Sequence, residues 1–215
     1  GVKAEYEYTY GKQNWFPHSG AEHKACREGV VMFDQSSFAK ILVQGRDAER
    51  VLNRISANNV AVEPGRVVYT QWLNPKGGIE ADLTVTRIDE QTFMVVTSAA
   101  CQRRDLDWLK RNTPDDAHAI STDVTSGLAT LSVMGPRSRD LLQILTPDDL
   151  SNAAFPFGAS REIDLGYGRV RATRITYVGE LGWELYIPTE FVQNVYDSIV
   201  AGGAAFGLKH AGYHA

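Results

Sequence analysis

The chain has 215 residues, 43% hydrophobic and 22% charged, with a formal net charge of −4 and a pI of about 5.7. That balance describes a globular protein long enough to bury a sizeable core. It offers no basic face for nucleic acid or anionic lipid, and no apolar run approaches the roughly 20 residues that a membrane helix needs.

The opening GVKAEYEYTYGKQNWF is polar and aromatic, reads as no signal peptide, and with residues 1–17 forms an arm or linker. SGAEHKACREGV (Ser19–Val30) is expected to be a helix with Ser19 near its N-cap. FAKILVQG is a strand, and RDAERVLNRISA (Arg46–Ala57) is a helix with Ala48, Val51, Leu52 and Ile55 on one stripe. RVVYTQWLN, IEADLTVTRI and TFMVVTS follow as strands, and CQRRDLDWLKRN (Cys101–Asn112) returns as a helix. A similar order then recurs. GLATLSVMG is a strand and PRSRDLLQILT a helix opened by Pro136. SREIDLG, RVRATRITYVG and GWELYIP are strands, and Thr189–Gly207 is a helix. The expected fold class is α+β, with two subdomains over roughly 18–113 and 114–215 that share an interface and resemble a duplication.

Several chemistries find no motif. There is no Walker loop and no GxSxG elbow, and the one GxG, Gly166–Gly168, precedes a strand rather than a helix, so it fails the dinucleotide context. His210 and His214 stand four apart without the glutamate of HExxH or a third ligand, so no metal site is expected. Cys26 and Cys101 are isolated thiols, which suggests a reducing compartment and small buried hydrophobes.

Two acidic positions stand out. In NPKGGIEADLTVTR, Ile79, Ala81, Leu83 and Val85 alternate with Glu80, Asp82, Thr84 and Thr86. Asp82 is thus either a solvated strand residue or a carboxylate facing a cavity, where it could accept a proton. In TYVGELGWELYIP, Gly179 and Gly182 suggest a tight hairpin, with Trp183, Leu185 and Ile187 on one face and Glu184 and Tyr186 on the other. Glu184 is either a surface glutamate beside a core tryptophan or, among aromatics, a reader of paired N–H donors on a flat heterocycle; Glu180 in the turn reads as solvated.

FDQSSFAKILVQGRDAERVLNRI, YTQWLNPKGGIEADLTVTR, MGPRSRDLLQ and TRITYVGELGWELYIP, in that order from about Asn14 onward, resemble the glycine-cleavage T-protein (aminomethyltransferase) family. The resemblance is stronger to the folate domain at the C-terminal end of dimethylglycine and sarcosine dehydrogenases. It implies two interlocked α/β subdomains of the aminomethyltransferase folate-binding fold around a central folate channel, usually followed by a small β-barrel. It also implies transfer of a one-carbon unit to tetrahydrofolate, giving 5,10-methylenetetrahydrofolate. The donor would be a small N-methyl amine oxidised by an FAD-bearing domain upstream in the same polypeptide. Carried over residue by residue, Asp82 takes the acid/base role and Glu184 grips the pterin. Tyr177 and Tyr69 pack along it, and Val96 touches it through its backbone. The implied location is the bacterial cytoplasm or the mitochondrial matrix.

Three departures qualify the resemblance. Met94 and Ser98 stand where T-proteins often carry Tyr and Asn, which favours the dehydrogenase-like relatives. No flavin segment is read in this sequence. It also ends at Ala215, just before the segment where T-proteins place a folate-contacting arginine, so it reads as a truncated piece with the C-terminal β-barrel absent from this chain. A stand-alone aminomethyltransferase, a folate-dependent sulfonium demethylase and a non-catalytic folate-binding scaffold stay open as alternatives. The iron–sulfur maturation factors of the family carry a Lys-Gly-Cys-Tyr motif that does not occur here.

Overall fold

The computed structural model describes residues 5–215. Helix α1 (Phe16–Glu28) and strand β1 (Val31–Asp34) lead into β2 (Ala39–Gln44), α2 (Ala48–Ile55), β3 (Arg66–Leu73), β4 (Ile79–Arg87), β5 (Thr92–Thr97) and α3 (Gln102–Arg111). β6 (Ile120–Asp123) precedes β7 (Leu128–Met134), α4 (Ser138–Gln143), β8 (Ser160–Leu165), β9 (Gly168–Thr173), β10 (Gly182–Pro188), α5 (Val192–Gly203) and β11 (Lys209–His210). From β2 to α3 and from β7 to α5, the chain follows the same order twice.

The two sheets run β3-β4-β5-β2-β6 and β8-β9-β10-β7-β1-β11. Their edge strands are exchanged. β1 leads into β2 but pairs antiparallel with β7, while β6 leads into β7 but pairs antiparallel with β2. The sheets therefore do not part at residue 113; each takes a strand from the other half, and the halves are interlocked.

A matched device anchors both exchanges. β2 and β7 each end in a glycine of positive φ, Gly45 at 134° and Gly135 at 123°, a region that disfavours a side chain. Two residues on, the Asp47 N–H donates to His118 O and the Arg137 N–H donates to Gly29 O, each carbonyl lying just before the exchanged strand. A Cβ on either glycine would collide with that same carbonyl oxygen. Gly45→Ala or Gly135→Ala is therefore expected to destabilise the chain by about 2 kcal/mol or more, read as a lower urea midpoint. A loss below about 0.5 kcal/mol would mean that the exchange is not pinned there.

Each sheet has one apolar face against its own helices. Leu131, Val133, Ile163, Val170, Trp183 and Leu185 pack on Leu141 and Leu142 of α4 and on Val195 and Ile199 of α5. Ile41, Val43, Trp72, Leu83, Val85 and Phe93 pack on Val51, Leu52 and Ile55 of α2 and on Leu109 of α3. Burying a large side chain of this kind contributes about 1.5–3 kcal/mol. The period of two turns the intervening residues the other way, so buried Thr130, Ser132, Thr173 and Tyr186 carry the polar groups of the second sheet's opposite face.

The local expectations needed four corrections. α1 begins at Phe16 with Pro17 in its first turn, so Ser19 is inside the helix and its hydroxyl donates to His214 O. β1 and β6, four residues each, were unassigned because strands so short show no period. β9 ends at Thr173, whereas the apolar run continues to Val178. Residues 174–181 leave the sheet as a wide loop, so Gly179 and Gly182 do not frame a tight hairpin: Gly179 is a loop residue at φ 82° and Gly182 opens β10. The GxG at Gly166–Gly168 is the turn between β8 and β9, as its context required.

Candidate functional site

A cavity of about 670 Å³ opens between the two sheets, within the roughly 300–1,000 Å³ usual for small-molecule sites. Asp82 and Val96 come to it from β4 and β5, Glu184 from β10, Tyr69 from β3 and Tyr177 from the loop before β10. The five residues singled out from the sequence thus converge on one space.

Asp82 points away from the helix-side core because Ala81 and Leu83 take the other face of β4. It is exposed and also lines the cavity, so the two readings of its position are compatible. Gln71, its register partner on β3, donates Nε2–H to Asp82 Oδ1 at 2.9 Å. Tyr69 stands two residues earlier on the same face of β3, and its hydrogen bond to Asp82 raises the phenol above its ordinary value. Val96 is the register partner of Thr84, beside Asp82's side of the sheet.

Glu184 has a different setting. Trp183, Leu185 and Ile187 are sunk in the helix-side core, which leaves Glu184 and Tyr186 on the cavity side of β10. The Tyr186 hydroxyl donates to Glu184 Oε2 at 2.5 Å. Burial pushes the Glu184 carboxyl above the usual range, with the Tyr186 hydrogen bond pulling the other way. Burial, then the Glu184 charge, raise Tyr186 well above its ordinary value. No cation pairs with Glu184 among the described residues. Its Oε1 has no partner there and is not among the sealed polar atoms, so it opens to the cavity as a free acceptor. Glu180, expected to be solvated, is held by Arg27 at 3.0 Å.

Tyr177 is 70% exposed and Tyr69 58% exposed, so both stand at the mouth rather than in the floor. Gln35, Phe38, Thr130, Phe157 and Tyr213 also line the cavity and were not singled out in the sequence. Phe157 comes through tertiary contact: an isolated bridge of Arg66 to Ala159 ties β3 to the segment before β8. No local pattern signals that approach. His210 contacts the Tyr196 hydroxyl at 2.9 Å and His214 stacks on Trp15, and no metal-ligating group of three is found among the described residues. Cys26 is buried and Cys101 half-buried, and both are free. No described helix is long and apolar enough to cross a membrane.

The arrangement supplies two carboxylates in unlike environments. Asp82 is exposed and held by an amide with a phenol nearby, whereas Glu184 is half-buried with one open oxygen. Such a pair can divide proton transfer from ligand recognition.

Comparison with known proteins places the chain among relatives. The chain is 43% identical over 215 residues to 4-methylaminobutanoate oxidase (formaldehyde-forming) of Paenarthrobacter nicotinovorans, covering all of this chain and 26% of that protein. It is 36% identical over 242 residues to the mitochondrial sarcosine dehydrogenase of Mus musculus, covering all of this chain and again 26% of the relative. The chain thus spans about a quarter of the length of these relatives. Among solved structures, the glycine cleavage system aminomethyltransferase T of Bartonella henselae superposes with a TM-score of 0.80 at 22% identity, over 98% of this chain and 56% of that one. That likeness carries the fold, two interlocked α/β halves of the aminomethyltransferase type. With its family match running from residue 2 to residue 215, the chain belongs to the GCVT N-terminal domain family.

Proposed function

We propose that this chain is the tetrahydrofolate-binding, one-carbon-transfer domain of a dimethylglycine or sarcosine dehydrogenase-like enzyme. The observation that carries the reading is the pairing of Asp82 and Glu184 across one cavity with aromatic residues at its mouth. A reduced pterin offers a flat ring for Tyr69 and Tyr177 and an edge of N–H donors for the open oxygen of Glu184. The division of labour follows from the environments. Glu184 binds and orients the ring. Asp82 accepts the proton lost when one folate amine nitrogen adds to an iminium carbon, whose C=N π pair passes to the donor nitrogen. The second folate nitrogen then bonds to the same carbon, the remaining C–N bond breaks, and the amine leaves with the second nitrogen's proton. A donor at the formaldehyde level suits the relatives, one of which is named for forming formaldehyde. The flavin that would oxidise the N-methyl amine belongs, on this reading, to a separate domain upstream in the same polypeptide.

The test follows carbon. The chain, joined to the FAD-bearing domain that this reading places upstream, is given dimethylglycine or sarcosine carrying a 13C-methyl group, with tetrahydrofolate and a trap for free formaldehyde, and the methylene product is followed by NMR. Label in 5,10-methylenetetrahydrofolate despite the trap is the expected result; label only in the trap would contradict channelled transfer. A stand-alone aminomethyltransferase is the second reading, supported by the likeness to the Bartonella henselae fold. An aminomethyl group on a lipoyl carrier used in place of the N-methyl amine would select it.

A further inference from the structure

Ser132 on β7 and Glu184 on β10 are direct register partners, so their side chains stand side by side on the cavity face, with Cβ atoms about 5 Å apart. Gln35, just after β1, is held against the same strand: its N–H donates to Thr130 O at 2.8 Å. The Ser132 hydroxyl donates to Gln35 Oε1. The structure places the amide with its oxygen turned to Ser132 and its nitrogen turned away. Gln35 Nε2 has no partner among the described residues, is not sealed from the cavity, and belongs to a residue that lines it. An open acceptor, Glu184 Oε1, and an open donor, Gln35 Nε2, therefore flank Ser132 and face one space.

The pyrimidine edge of a 4-oxopterin carries an amino group, a ring N–H and a carbonyl oxygen in that order: two donors, then an acceptor. Resting on the folate reading above, we infer that Gln35 is a specificity-determining residue of this site, its Nε2 donating to the ring carbonyl at the end of the edge that Glu184 grips. Glu184 alone recognises donors, which other heterocycles also present. Gln35 adds recognition of the acceptor and disfavours a ring with an amino group at that position, because donor would then face donor. Ser132 is a positioning residue whose hydroxyl anchors the amide group beside Glu184.

The inference is tested by calorimetric titration with 5-formyltetrahydrofolate and with its counterpart bearing an amino group in place of the ring oxygen. In Gln35→Glu, nearly the same shape presents an acceptor where the amide presented a donor. The ratio of the two affinities is expected to shift toward the amino ligand by about 10- to 100-fold, the size of one buried donor–acceptor mismatch. Gln35→Met removes the donor without adding a charge beside Glu184 and is expected to shift the ratio in the same direction; a shift confined to Gln35→Glu would come from Glu184 and would overturn the inference. Ser132→Ala, which frees the amide without altering it, is expected to move the same ratio toward parity by several-fold, with circular dichroism confirming the fold of the variants. A wild type that binds and a ratio unchanged in Gln35→Glu would overturn this inference while leaving the folate reading standing. Failure of the wild type to bind either ligand would remove both.

Discussion

Asp82→Asn is expected to reduce one-carbon transfer by about 10²- to 10⁴-fold, the usual contribution of a positioned acid or base. Folate affinity should stay within a few-fold of wild type. The substitution retains the shape of the side chain and one oxygen, so Gln71 Nε2 can still donate to it as it does at 2.9 Å. What is lost is an acceptor with the basicity to take a proton. Because Asp82 is exposed and Glu184 carries the recognition, the loss should fall on the rate of transfer and not on the dissociation constant. Transfer is measured with the labelled N-methyl donor and affinity by titration. Equal losses in both would show that Asp82 serves binding, and an unchanged rate would remove it from the chemistry.

Glu184→Ala should act on the other quantity. It removes hydrogen bonds from an ionised acceptor, each worth about 1.5–3 kcal/mol, and leaves the buried Tyr186 hydroxyl without its partner. The combined effect on folate binding is a loss of about 100-fold or more. The same residue sets a pH signature. Burial raises the Glu184 carboxyl in the free protein, so acidification protonates it at a higher pH than an ordinary glutamate and binding is lost there first. The stability of the unliganded chain runs the opposite way. A carboxyl raised on folding contributes stability below its unfolded value, and that contribution is lost as pH rises through the raised one. Glu184→Gln should flatten both profiles; an acid limb that persists in Glu184→Gln would assign it to another group.

How far the sequence could be read depended on how local the cause was. Period-two alternation placed Asp82 and Glu184 opposite their core-facing neighbours, and the structure agrees because Ala81, Leu83, Trp183 and Leu185 are all in the helix-side cores. The interlocked α+β fold was also legible, through four motifs in order, although the device that interlocks it was not. β1 and β6 are four residues long, and only the pairing of residue 31 with residue 134, and of residue 41 with residue 123, gives them meaning. The loop at 174–181 was misread because a β-rich run does not reveal that its pairing with β10 ends at Thr173. Gln35 and Phe157 were missed for a related reason, since neither has a pattern of its own and each reaches the cavity through a strand remote in sequence.

The central claim, that Glu184 makes this cavity a reduced-folate site, is tested most directly by isothermal titration with 5-formyltetrahydrofolate of the wild type, Glu184→Ala and Asp82→Asn side by side. Binding to the wild type and to Asp82→Asn, with loss of about 100-fold or more in Glu184→Ala, is the predicted result. Equal binding to all three, or none to the wild type, would contradict it.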